Sequence, residues 1–169
     1  MKKLIMLFAA IVMVAGFSVS VMAQTENTAV GAKILTAMTI TESAPMHFGT
    51  MTVPTAASTV VLATDGSVTV GTGAVTLLAQ APTSTAAAYD VTGDNSATYA
   101  ITIDASTTIT NGTELEDMTV DNFVSSVGAT STLDGSGDDS FTVGATLNLI
   151  DAQPAGTYAG TFDVTVAYN

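Results

Sequence analysis

Tyr158-Ala159-Gly160-Thr161-Phe162-Asp163-Val164-Thr165-Val166-Ala167-Tyr168 is the stretch of this sequence that says most about the fold. Its apolar side chains recur at every second position, on the face formed by Tyr158, Gly160, Phe162, Val164, Val166 and Tyr168. A period of two is typical of a β-strand with one buried face. We therefore predict a strand over all eleven residues, about 35 Å long, whose even-numbered side chains enter the core.

The chain before this stretch continues the β pattern. Thr, Val, Ala, Gly and Asp dominate after residue 23, whereas the straight-chain residues that favour helices are scarce. Residues 59–63 and 67–70 flank Thr64-Asp65-Gly66, and Asp-Gly is a strong hairpin signal. Residues 99–104 and 141–149 alternate as well. We predict about nine short strands in one all-β domain, a sandwich or barrel, over residues 24–169.

Residues 1–23 have the pattern of a secretory signal peptide. Two lysines precede the apolar run 4–14, and Val21-Met22-Ala23 ends the segment with an Ala-x-Ala type of cleavage site. We predict cleavage before Gln24 and a secreted, periplasmic or cell-surface bacterial protein without membrane insertion. The alternative is a membrane anchor, which needs about 20 apolar residues; small and polar residues in the second half of the segment argue against it.

The charge balance after residue 23 excludes several kinds of partner. One lysine and 15 acidic residues lie there, a net charge of −14. Nucleic acids and anionic membrane surfaces are bound by Lys and Arg, so we expect neither as a partner. The sequence has no Cys and a single His, which excludes a disulfide framework, a thiol nucleophile and a multi-histidine metal centre. We expect no cofactor and no enzyme activity.

Three segments resemble a known family. Met46-His47-Phe48-Gly49-Thr50 is similar to a Leu-x-Phe-Gly-Thr motif, and residues 89–103 are similar to a middle motif of the same family. Residues 141–147 and 155–162 are similar to its C-terminal half. On these segments the chain is identified as a member of the secreted bacterial proteins grouped as domain of unknown function 4402.

The last strand is also similar, more distantly, to that of chaperone–usher pilins and spore-coat-U-like secreted proteins. In those families an aromatic residue is next to last and a glycine lies fourteenth from the end, as Tyr168 and Gly156 do here. Pilin subunits are immunoglobulin-like antiparallel β-sandwiches that lack a final strand. The resemblance implies that fold, an assembly strand, and partners that are copies of itself or related subunits together with a periplasmic chaperone. The lack of a disulfide departs from many pilins.

An exposed sheet edge beside an apolar groove can be completed by a strand from another chain. The candidate donor is the segment 24–35, here called the N-terminal extension, in which Val30, Ala32 and Ile34 share one face. The alternative is that residues 30–40 are simply the first strand of a closed, self-sufficient sandwich.

Other groups that could bind a metal ion or act in catalysis are weaker candidates for a functional site. Asp134, Asp138 and Asp139 lie in a Gly-rich loop that begins like a calcium loop, but the later ligand positions do not match. They are weak metal candidates, and turns explain them better. The acidic cluster at 114–121 is interpreted as a solvated face. His47 has no matching nucleophile motif, so we predict a structural or surface role.

The expected function is therefore that of a secreted structural or cell-surface subunit, resembling a pilus or fimbria protein, which assembles by β-strand complementation. The alternative is a self-complete, monomeric extracellular module that binds carbohydrate or another surface component; a calcium-stabilised form is a variant of this alternative.

Overall fold

The computed structural model describes residues 22–112 and 117–169. Contacts divide the chain into two units, residues 1–33 and 34–169. In the described part of the first unit, residues 22–33, there is no helix or strand and every residue is exposed. The predicted signal peptide lies almost wholly outside the described residues, as do Glu114 and Glu116 of the acidic cluster. Within the described residues, no helix has the length and apolar character needed to cross a bilayer.

The second unit is built from antiparallel strands, and the described residues contain no helix. Its fourteen strands are β1 Thr39–Ala44, β2 His47–Phe48, β3 Thr50–Met51, β4 Ser58–Leu62, β5 Val68–Thr72, β6 Leu77–Leu78, β7 Ser84–Thr85, β8 Ala87–Thr92, β9 Thr98–Ile103, β10 Ser106–Ile109, β11 Met118–Ser125, β12 Thr130–Thr132, β13 Asp138–Leu149 and β14 Val164–Tyr168. The all-β prediction is confirmed. The number of strands exceeds the expected nine because β2, β3, β6 and β7 are two-residue pairings that alternation does not reveal.

The main sheet has seven strands and is organised around β13. Its central order is β1-β8-β13-β11-β10, and β4 and β5 attach beside the second half of β13. Along one edge β13 pairs first with β8, over residues 138–143, and then with β4, over residues 145–149. Gly144 lies at the change of partner, where a Cβ would overlap the carbonyl oxygen of Leu62. Glycine permits this close approach of two backbones.

The second layer is a three-stranded sheet of order β12-β9-β14. A core cluster joins the two layers, with Val91, Phe141 and Val143 from the main sheet and Tyr99 and Ile101 from β9. Side chains alternate between this core and solvent along β8, β9 and β13. The arrangement is compatible with the predicted β-sandwich.

The predicted hairpin at Thr64-Asp65-Gly66 is formed by β4 and β5. The Asp65 carboxylate accepts hydrogen bonds from both the backbone N–H and the hydroxyl of Ser67, at 2.9 and 2.6 Å. A side-chain acceptor at this position stabilises the turn locally. This explains why the hairpin could be predicted from the sequence alone.

The predicted eleven-residue final strand is wrong in its length. Strand β14 begins at Val164, and the preceding segment is linked to β10 and the residue after it by the isolated bridge between Thr110 and Ala159 and by a hydrogen bond from the Thr107 hydroxyl to the carbonyl of Thr161. The alternation is nevertheless present, because even-numbered residues from 162 to 168 are half-buried and odd-numbered ones exposed. Full burial fails because this segment has a paired neighbour on one side only.

The predicted alternative of a first strand over residues 30–40 is not formed. Strand β1 begins at Thr39, and residues 22–37 are exposed and without regular structure.

Candidate functional site

A groove of about 780 Å³ opens in the second layer of the fold. One side, the first rim, is residues 153–164, which lead into β14. The other side, the second rim, is residues 45–54, which include β2 and β3. The groove therefore lies between two segments that are about 100 residues apart in the sequence.

The floor of the groove is the inner face of the main sheet. Its side chains come from β10, β11 and β13, namely Ile109, Met118, Val120, Leu147 and Leu149. The four from β11 and β13 are only 2–6% exposed and belong to a second core cluster. Met46, Phe48 and Met51 of the second rim pack against the same cluster. The floor is thus apolar along its length.

The backbone of the first rim is hydrogen-bonded on one side. Ala159 exchanges two hydrogen bonds with Thr110, at 2.9 and 3.0 Å, and the carbonyl of Asp163 accepts one from the N–H of Asp104 at 3.1 Å. These odd-numbered residues direct their polar groups towards β9 and β10. Backbone groups alternate sides along an extended chain, so those of Gly160 and Phe162 face the groove. No backbone–backbone hydrogen bond in the described part of the chain includes either residue.

The second rim has strand partners on one side only. β2 pairs with β7, and β3 pairs with β6. Between them the chain turns at Gly49, whose φ of 84° is in the left-handed region that favours glycine. The N–H of Gly49 donates to Nδ1 of His47 at 2.8 Å. His47 lines the groove and holds this turn, which agrees with the structural role predicted for it.

At each end of the groove, a hydrogen bond joins the chain segment that contains the first rim to the segment that contains the second rim. At one end the hydroxyl of Tyr168 donates to the carbonyl of Thr36 at 2.7 Å. At the other, the N–H of Ala152 donates to the carbonyl of Pro54 at 3.1 Å. The two rims therefore run in opposite directions. Residues 157–164 of the first rim, which follow a bend at Ala155 and Gly156, span about 26 Å if fully extended.

A polar network fixes the loop at the Pro54 end. Gln153 is 3% exposed, and its Nε2 donates to the hydroxyl of Tyr158 at 3.0 Å. That hydroxyl donates in turn to the carbonyl of Pro154 at 2.9 Å. Buried polar groups that are satisfied in this way hold a loop in one conformation.

The groove is negative at its Thr36 end. Glu42 and Asp163 line it, and none of its described lining residues is Lys or Arg. Burial, with a smaller contribution from the negative charge of Glu42, raises the pKa of Tyr89 to about 12. Tyr89 also lines the groove, so the Glu42 carboxylate acts on its interior.

The predicted assembly strand is divided by the structure. Gly156, Tyr158, Phe162 and Val164 line the groove, whereas Val166 and Tyr168 lie beyond it and pack against the first core cluster. The predicted donor residues Val30, Ala32 and Ile34 lie in a segment without regular structure, and Val30 and Ile34 are 95% and 92% exposed.

Sequence reasoning missed the second rim and the floor. The floor was detectable in principle, since Leu147 and Leu149 alternate with polar residues inside a predicted strand. Nothing local marked residues 45–54 as the facing side, because that role depends on where the chain places them.

The weak calcium candidates serve a turn. The Asp134 carboxylate accepts from the N–H groups of Ser136 and Asp138, at 2.7 and 3.0 Å. The backbone hydrogen bonds from Asp138 and then Ser136 lower the pKa of Asp134. Asp139 accepts from the hydroxyls of Tyr99 and Ser131. Among residues 22–112 and 117–169, no group of three or more His, Cys, Asp or Glu is arranged to hold a metal ion.

Fold and groove together define an all-β protein in which, among the described residues, the segment leading into β14 leaves the backbone of Gly160 and Phe162 without a backbone partner beside an apolar floor. Residues 38–168 match the family described as domain of unknown function (DUF4402), and the chain belongs to that family. The predicted membership is confirmed. No curated protein and no solved structure matches the chain. The likeness to pilins therefore stays a prediction.

Proposed function

We propose that this protein is a secreted structural subunit whose groove receives an extended segment of another copy, so that copies assemble by β-strand complementation. The observation that carries the proposal is the unpaired backbone of Gly160 and Phe162 beside the apolar floor. An incoming strand would satisfy these polar groups and pack its own alternate side chains against the half-buried apolar residues that line the groove, Phe48, Ile109 and Phe162. A periplasmic chaperone would protect the same edge before assembly.

The N-terminal extension is the segment best suited to fill the groove. It has twelve residues, about 40 Å when extended, against about 26 Å for residues 157–164 of the first rim. Its apolar residues Val30 and Ile34 are almost fully exposed, and it belongs to no sheet. Exposed apolar side chains on an unstructured segment gain free energy when they are buried in a partner.

The test compares two substitutions of the same charge on opposite faces of the extension. We expect Val30→Asp to abolish assembly, because it places a carboxylate against the apolar floor. Ala29→Asp directs the same charge outward and is the matched control. The full 169-residue chain is expressed in a bacterial host that exports it, and the purified protein is analysed by multi-angle light scattering over a range of concentrations.

Concentration-dependent oligomers from the unsubstituted protein and from Ala29→Asp, with Val30→Asp remaining monomeric, would support the proposal. A monomer at every concentration in all three would refute strand donation between copies. That result would favour the alternative of a self-complete binding module.

A further inference from the structure

Lys33 is the only Lys or Arg after residue 3, and it lies in the N-terminal extension. The groove has the opposite charge at one end, where Glu42 and Asp163 line it. The Asp104 carboxylate lies close by, since it accepts the backbone N–H of Asp163 at 2.9 Å. A single cation on the donor and several carboxylates on the acceptor are complementary in charge.

The faces of the two segments match as well. If Val30, Ala32 and Ile34 face the floor, Lys33 faces outward because side chains alternate along a strand. On the first rim Phe162 and Val164 are half-buried, and Asp163 is exposed on the outer face. Side chains on the same face of adjacent strands are the ones that interact. Lys33 and Asp163 therefore lie on the same side of the completed sheet.

Pairing Lys33 with Asp163 fixes the register. Asp163 is 130 positions after Lys33, so in a parallel arrangement residues 27–34 of the donor lie beside residues 157–164. These residues of the first rim line the groove and follow the bend at Ala155 and Gly156. The neighbours on the inner face are then Val30 beside Gly160, Ala32 beside Phe162 and Ile34 beside Val164. Among these three pairs, the smallest donor side chain meets the largest side chain of the rim.

An antiparallel arrangement with the same ion pair fails on length. It would put Val30 beside Val166, which lies beyond the lining of the groove.

We propose that the extension of a second copy enters the groove parallel to the first rim, with Lys33 beside Asp163 on the outer face and near Asp104, and that this ion cluster sets the direction and register of assembly. This inference rests on the proposed function. It identifies the occupant as the residue 24–35 segment of another copy.

The first experiment measures the association constant of the purified protein by analytical ultracentrifugation at low and high salt. We expect Lys33→Glu to weaken association roughly tenfold, because it replaces one attractive contact by repulsion from two carboxylates. High salt should reduce this difference. The double variant Lys33→Glu, Asp163→Lys should recover most of the loss. Melting temperature is the control for folding, since both side chains are exposed in the subunit.

The second experiment maps the register by cysteine cross-linking, which is unambiguous because the sequence contains no Cys. An Ala29→Cys chain is mixed with an Ala159→Cys chain, and separately with an Ala167→Cys chain, and oxidised. The parallel register places Ala29 beside Ala159, whereas the antiparallel arrangement would place it beside Ala167, and a disulfide requires Cα atoms within about 7 Å.

We expect the first mixture to give a cross-linked heterodimer and the second to give none. Assembly that is insensitive to Lys33→Glu, or a cross-link between positions 29 and 167, would overturn the register while leaving strand donation in place. A protein that never assembles would instead refute the proposed function, so the two failures are distinguishable.

Discussion

Removing one hydroxyl group, in Tyr168→Phe, tests how the end of the groove is held. The Tyr168 hydroxyl donates to the carbonyl of Thr36 at 2.7 Å and accepts from the N–H of Asp94 at 2.6 Å. The first of these hydrogen bonds is exposed and the second is partly buried. The substitution removes both bonds and keeps the aromatic ring in place.

The expected loss follows from the burial of the two bonds. Net contributions of hydrogen bonds are about 0.5–1.5 kcal/mol, with exposed bonds at the lower end. We therefore expect the free energy of unfolding to fall by about 1–2 kcal/mol. For a folded unit of this size the melting temperature would fall by roughly 3–6 °C.

The assay is urea unfolding followed by circular dichroism, supported by thermal melts. Tyr89→Phe is the matched control, because it also removes one tyrosine hydroxyl, and no hydrogen bond of the Tyr89 hydroxyl is present in the described part of the chain. We expect the control to change stability by less than about 0.5 kcal/mol. Equal stability of the two variants would refute the view that Tyr168 clamps the start of the domain.

Three further outcomes are expected. Gly144→Ala should lower the free energy of unfolding, measured in urea titrations, by about 1–3 kcal/mol, because the added Cβ overlaps the β4 backbone. Gly135→Ala is the control and should not lower it, because a Cβ there meets nothing within 4 Å. Backbone hydrogen bonds lower the pKa of Asp134 below its ordinary 3.8. The Asp134 carboxylate therefore contributes to stability above that value, and this contribution is lost as pH falls through the lowered pKa. The difference in melting temperature between the unsubstituted protein and Asp134→Ala should shrink in acid. Burial is the main cause that raises the pKa values of Tyr89 and Tyr99 from 10.0 to about 12. The stabilisation that these tyrosines provide is therefore present below about pH 10 and is lost as pH rises through 12. Ultraviolet titration should show two tyrosines ionising near 12, and ionisation of all tyrosines near 10 would contradict their burial.

Several features of the fold were predictable because they depend on neighbouring residues. The hairpin at Asp65 is stabilised by hydrogen bonds from Ser67, two positions away. The alternation in β9 and β13 reports directly on which side chains are buried. The final stretch showed the same local rule, since its even-numbered residues do face inward.

The groove was not predictable in this way. The period-two pattern indicates which face of residues 158–163 is apolar, but it does not indicate whether the backbone edge of that segment has a hydrogen-bond partner. That depends on residues 45–54, which the fold brings opposite from about 100 positions earlier in the chain. Similarly, residues 30–34 alternate like a strand and belong to no sheet. Local periodicity therefore determines the class of structure and which side chains face inward. The pairing of each strand edge is a contact between segments that are distant in the sequence, so only the packing of the whole chain decides it.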